Sequence, residues 1–289
     1  PSLTLELDSH TADAGIDTRI DAFIDIIEKY RKIWKEETTQ TDFMPAKIEM
    51  KDKKVFFVTS EQKQKSIYDP DVHLIFPSMG RLGSELFSAV FNGAGINAGC
   101  LPEYDVEALG HGRSNTLCKE CLPLQLVSGG LLKYLKQNGN NHKYLAYFMP
   151  TCTGNCRFSQ YNVFLRKLIE KNRIENVALF ILTSENGYAG LAIKDMINLL
   201  KATIISDVME DIRNALYVLA KDSDKAIETF DAEFARIKDL FLTKNSKELW
   251  KLLKSVTQNL SRIPLKYPLS EAKTVALHGE IFVRRDDFS

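Results

Sequence analysis

Cys100, Cys118, Cys121, Cys152 and Cys156 are the only cysteines of a 289-residue chain. A secreted scaffold spreads its cysteines through a small domain, whereas thiols clustered in a long chain suit a reducing compartment and service as metal ligands or a redox pair. Cys118 and Cys121 make a C-x-x-C unit, CKEC, just before an expected helix start, where thiol pKa values fall. Cys152 and Cys156 lie in PTCTGNCRFSQY, residues 150–161, between an apolar run and a second helical pattern. Four readings stay open on spacing. An iron–sulfur cluster wants thiolates and tolerates loose spacing. Structural zinc wants four soft ligands in a closed tetrahedron, for which two C-x-x-C units would be the stronger signal. A redox pair wants its C-x-x-C directly after a βαβ strand, and here a long loop precedes it. Plain packing is the fourth reading, because cysteine is a common small buried residue.

Other groups could add chemistry. Arg157 follows Cys156 at a helix start, where a cation opposes the helix dipole, so it is expected to meet an anion, a negatively charged cluster or a salt-bridge partner. His10 in HTADAG and His111 in HGRSN are read as loop histidines able to serve as ligand or base. SMGRLGSE and the glycine pair of SGGLLKY resemble glycine turns at helix starts, whose free N–H groups can hold an anion. Neither is a Walker A loop or a G-x-G-x-x-G fingerprint, and plain tight turns explain them equally well.

These residues must be positioned by the elements around them. KVFFVTS (54–60), HLIFP (73–77), GINAGCLP (95–102), YLAYFMP (144–150) and NVALFILTS (176–184) read as short apolar strands. Helical patterns fall at 78–95, 121–137 and 156–172, with a short piece at Val106–Leu109. The alternation predicts an α/β fold, with Rossmann-like parallel sheet layers and helices on both faces. In such a sheet the loops after the strands converge on one crevice, so all five cysteines are expected to approach it. Asp17–Glu37 reads as an amphipathic helix, KDKK as a solvated edge, and 190–265 as a long helical block that packs on the α/β layer or a partner. KTVALHGEIFV (273–283) reads as a return to strand. The expected organisation is an N-terminal extension and helix (1–50), a Rossmann-like domain carrying the cysteines (51–185), and the helical block returning to a second sheet element (186–289).

Bulk properties narrow the function. Apolar residues make up 44% and charged residues 26%, a composition that folds. Lys plus Arg and Asp plus Glu both number 38, which argues against a general nucleic-acid binder. No run suits a membrane span, and PSLTLELDSH lacks the features of a signal peptide. The absence of an initial Met and the ending GEIFVRRDDFS read as a fragment of a longer polypeptide.

FPSMGRLGSELFSAVFNGAGINAGCLP, SNTLCKECLPLQLVSGGLLKYL and YFMPTCTGNCRFSQY, with ELDSHTADAGIDTRIDAFIDII near the start and GEIFVRRDDFS at the end, resemble the large proteins related to the 2-hydroxyacyl-CoA dehydratase activases. The likeness spans nearly the whole chain, with little of it in 190–265. It implies a region similar to the cluster-binding subunits of 2-hydroxyglutaryl-CoA dehydratases and benzoyl-CoA reductases. In those, cysteines at the ends of Rossmann-like sheets hold a 4Fe–4S cluster or a double cubane. Cys121 and Cys156 carry over best, then Cys118, with Cys152 and Cys100 as further ligands and Arg157 offsetting the cluster's charge. The resemblance further implies a cytoplasmic, oxygen-sensitive module, compatible with a homodimer. ATP would bind on a separate activase domain that drives low-potential electrons to this one, for delivery to an acyl-CoA or similar small substrate. The rival readings are a zinc-stabilised or metal-free docking or scaffold domain for the activase, and a thiol oxidoreductase.

Overall fold

The computed structural model describes residues 43–52, 54–117, 119–138, 143–151, 156–181, 191–243, 246–276, 278–279, 281–285 and 288, together with single residues between 17 and 31. Residues 1–43 form a unit of their own, and its described residues, from Asp17 to Arg31, are helical.

The second unit, Met44–Ser289, opens with an antiparallel meander of β1 (Lys47–Lys51), β2 (Lys54–Val58) and β3 (Gln64–Ser66). Lys51 pairs with Lys54, and Asp52 takes φ 52° in the turn between them, a conformation aspartate tolerates. KDKK thus joins two strands. Only β2 announced itself in the sequence, since β1 and β3 are too charged to show a strand pattern.

The other four strands expected from the apolar runs form a parallel sheet in the order β5-β4-β6-β7: β4 (Val72–Phe76), β5 (Ala98–Cys100), β6 (Tyr144–Phe148) and β7 (Val177–Phe180). Successive side chains alternate between two cores, as strand geometry requires. Ile75, Leu145, Tyr147 and Val177 pack on one face, beneath α2 (Val106–Ser114), α3 (Leu122–Asn138) and α4 (Tyr161–Lys171). Leu74, Phe76, Ala146, Phe148 and Phe180 pack on the other, where Phe87 and Phe91 of α1 (Arg81–Ala94) meet them. The chain is mixed α/β, with helices on both faces of a parallel sheet.

The opposite side of α1, through Leu82, Leu86, Ala89 and Val90, seals a helical layer of α5 (Ile193–Leu219), α6 (Ser223–Leu242) and α7 (Leu249–Leu260). Each buried leucine or valine among them contributes about 2 kcal/mol. The helical block therefore packs on the α/β layer within one unit. On α5, Ala202, Ile205 and Met209 face that core, while Ile193, Ile197, Leu200, Ile204 and Val208 stay exposed. The helix is apolar on both sides, so its periodicity does not reveal which side is buried. No helix among the described residues is long and apolar enough to cross a membrane.

Two sequence expectations fail at the edges of this unit. The stretch expected as strand at 273–283 contains no strand among its described residues, and α8 (Ile281–Arg285) is helical. Its Phe282 stacks on Tyr104 at 5.8 Å in the core beneath α2 and α3. Residues 44–50, expected in the N-terminal extension, supply β1 to the second unit.

The three-residue strand β5 is held by side chains from α1. Asn92 Nδ2 donates to the Ala98 carbonyl at 2.6 Å, its Oδ1 accepts from Ala98 N at 3.1 Å, and Ser88 Oγ donates to the same carbonyl at 2.9 Å. Asn92→Ala is expected to cost about 2 kcal/mol, because it takes the side-chain acceptor from Ala98 N and leaves the Ala98 carbonyl with Ser88 Oγ, in a half-buried site. Urea denaturation would read this as a lower midpoint with an unchanged slope.

Candidate functional site

The strand order reverses between β4 and β6, and ligands of open α/β sheets bind in the crevice beyond the strand ends at such a point. The CKEC turn lies between α2 and α3, in the connection that leaves the end of β5, and the Cys156 segment follows the end of β6, so sheet topology brings both to one end of the sheet.

Cys121 directly precedes α3. Its carbonyl accepts from Leu124 N at 3.1 Å and Gln125 N at 3.3 Å, which closes the first turn. The turn before it is held by Glu120, whose carboxylate accepts from Leu117 N at 2.9 Å and Lys119 N at 3.2 Å. The Cys121 thiol is half-buried and lies 2.8 Å from Tyr161 Oη, at the start of α4. Cys156 is exposed and extended, one residue before a 3-10 turn (Arg157–Gln160) that runs into α4. Arg157 Nη1 donates to the Lys119 carbonyl at 3.2 Å, inside the CKEC turn. Two bonds, Arg157 to Lys119 and Tyr161 to Cys121, therefore join the walls that carry the thiols. No family model, curated protein or solved structure matches the chain.

The expected site residues separate into groups. Cys121, Cys156 and Arg157 belong to segments in direct contact. Cys118 and Cys152 lie outside the described residues, as does His10. Cys100 stands apart: it pairs in register with Phe76 and packs on that residue's face of the sheet, whereas Cys121 packs on the other. Among the described residues, no three His, Cys, Asp or Glu side chains are grouped to hold a metal ion. His111, read as a loop residue, is on α2, 3.8 Å from Glu107 one turn away. The glycine pair of SGGLLKY, read as a helix-start turn, sits in the middle of α3. Gly80 does open a helix, at φ 100°. Sequence reasoning missed Tyr161 and Glu120. Tyr161 reaches the site because the 3-10 turn ends at it, and only its place at the head of an amphipathic helix hinted at a role.

Burial pushes the Cys100 thiol up from its ordinary 9.0 to about 11, with the Glu85 carboxylate adding to the rise and Lys238 opposing it. At neutral pH it is a protonated packing residue. The unfolded chain ionises first, so this group stabilises the fold below about pH 9, and its contribution is lost as pH climbs toward 11. The loss is about 2–3 kcal/mol. Stability measured in urea at pH 7.5, 9 and 10.5 should fall more steeply for the wild type than for Cys100→Ala. Parallel curves would show that this thiol is not the cause.

Proposed function

We propose that this chain is an iron–sulfur redox module. It would hold the cluster through Cys121 and Cys156, with Cys118 and Cys152 completing the set. It would take low-potential electrons from an ATP-dependent activase domain and pass them to an acyl-CoA or similar small substrate. The observation that carries the reading is the joining of the CKEC turn to the Cys156 segment, at the end of the sheet where ligands of such folds bind. The donor chemistry fits, since thiolates are the usual ligands of these clusters. Two thiols come from described residues. Cys118 and Cys152 are sequence neighbours of the same two walls, and they must supply the rest.

When bound, the cluster supplies one-electron transfer at a potential set by its surroundings. The chain's own residues shape those surroundings. Tyr161 offers a hydrogen bond to the Cys121 sulfur, and Arg157 brings a positive charge beside the ligating turn. Phe158 packs edge-on against Tyr161 at 5.1 Å, and both belong to the apolar core against which Cys121 packs.

A second reading, a zinc-stabilised or metal-free docking domain for the activase, is favoured by one observation: protein hydrogen bonds alone already join the two walls. Anaerobic purification followed by metal and acid-labile sulfide analysis separates the two. Iron and sulfide in comparable amounts, with a brown chromophore, are expected. A colourless protein carrying one zinc, or no metal at all, would overturn the redox reading in favour of docking.

A further inference from the structure

On the face of the sheet opposite Cys121, a cavity of about 350 Å³ opens between the ends of β4 and β6, the first turns of α1, the middle of α5 and α8. Its floor is aromatic. Phe76 meets Phe87 edge-on at 6.1 Å and Phe148 at 4.7 Å. Arg284 and Arg285 line it on the other side, and Arg285 forms an ion pair with Asp207 at 2.6 Å. Arg284 donates through Nε to the Gly279 carbonyl, which leaves its terminal nitrogens for another acceptor. The first turn of α1 has neither an acidic residue nor a side-chain cap. A cavity of this size with an apolar body and a few polar groups has the make-up of a small-molecule site.

We propose that this cavity binds a small aromatic monocarboxylate, its ring on Phe76, Phe87 and Phe148 and its carboxylate on Arg284. The single charge follows from the lining. Among the described residues, two guanidiniums face one carboxylate, so one negative charge balances the site. A dianionic phosphate would instead leave excess negative charge beside Asp207. The flat ring follows from the floor, where edge-to-face and offset contacts reward an aromatic over an alkyl group. A planar guanidinium suits a carboxylate in two-point contact. The site shares no side chain with the cysteine walls, so it does not rest on the redox reading.

Gly83 provides the blocking test. It lines the cavity, and a Cβ there would meet only Ser206 Oγ at 3.7 Å, an ordinary contact. Gly83→Ala should leave binding intact, while Gly83→Leu fills the cavity. Titration calorimetry and saturation-transfer NMR on the full chain would use three probes: phenylacetate, its neutral analogue 2-phenylethanol, and phenyl phosphate. Phenylacetate is expected to bind at least about tenfold more tightly than either of the others. Arg284→Gln should erase its advantage over the alcohol, and Gly83→Leu should abolish binding of both. Asp207→Asn should raise the affinity for phenyl phosphate relative to phenylacetate. The proposal is overturned if phenylacetate fails to bind the wild type, or if the alcohol or the phosphate binds it as tightly. It is equally overturned if phenylacetate binds Arg284→Gln or Gly83→Leu as it binds the wild type, with folding of each variant checked by circular dichroism.

Discussion

Gly129→Ala is expected to cost about 3 kcal/mol or more, a large part of a typical folding free energy. A Cβ at Gly129 would lie 1.8 Å from the Ala108 carbonyl oxygen and 2.7 Å from Gly112 N. Both are backbone atoms of α2, so no rotamer change relieves the overlap, and the two helices must separate. Gly112→Ala is the reciprocal case, with its Cβ 1.9 Å from the Gln125 carbonyl oxygen of α3. The contrast is internal: at Gly110, on the same helix, a Cβ would meet nothing within 4 Å. Gly110→Ala should therefore stabilise the chain by about 0.5–1 kcal/mol through helix propensity alone. Thermal unfolding of the three variants checks the argument. Equal destabilisation by Gly110→Ala and Gly112→Ala would mean that helix approach is not the cause.

The second large effect concerns iron. Cys121→Ser and Cys156→Ser should each lower the iron retained per chain by at least about tenfold, whereas Cys100→Ser leaves it unchanged. Tyr161→Phe removes only a partner of the sulfur proposed as ligand, and changes of that kind cost about 10–100-fold in metal affinity. In that variant, iron should be present after anaerobic purification but should leave faster under a chelator. The measurement is iron and sulfide per chain for each variant, prepared side by side. Iron retained in full by both Cys121→Ser and Cys156→Ser would show that these thiols do not hold it.

The parallel sheet was legible because HLIFP, YLAYFM and NVALF are buried on both faces and read as continuous apolar runs. That the Cys121 and Cys156 segments follow strand ends on one side of the sheet was legible for the same reason, since it follows from strand direction. What could not be read are features set by partners distant in sequence. KTVALHGEIFV carries strand-like residue types, yet Phe282 is buried as a helical side chain stacked on Tyr104. The glycines of SGGLLKY look like turn glycines until the opposing helix is known. Gly129 then proves to be the point where α2 and α3 touch backbone to backbone. Cys100 was expected at the same crevice because its strand ends at the same edge. Only the pairing of Cys100 with Phe76 reveals which face it takes.

The close seam between α2 and α3 also bears on the order in which the molecule assembles. These helices are neighbours in sequence, and their contact closes only the short connection that holds CKEC. The central strand pair is different: Val72 pairs with Tyr144, so its closure must span α1, β5, α2 and α3 together. Loop-closure entropy favours the local event, and contacts distant in sequence form late. The hairpin bearing Cys121 can thus be shaped while the sheet is still open. The Cys156 wall arrives only once β6 has docked, which makes the joining of the two walls a late step of folding.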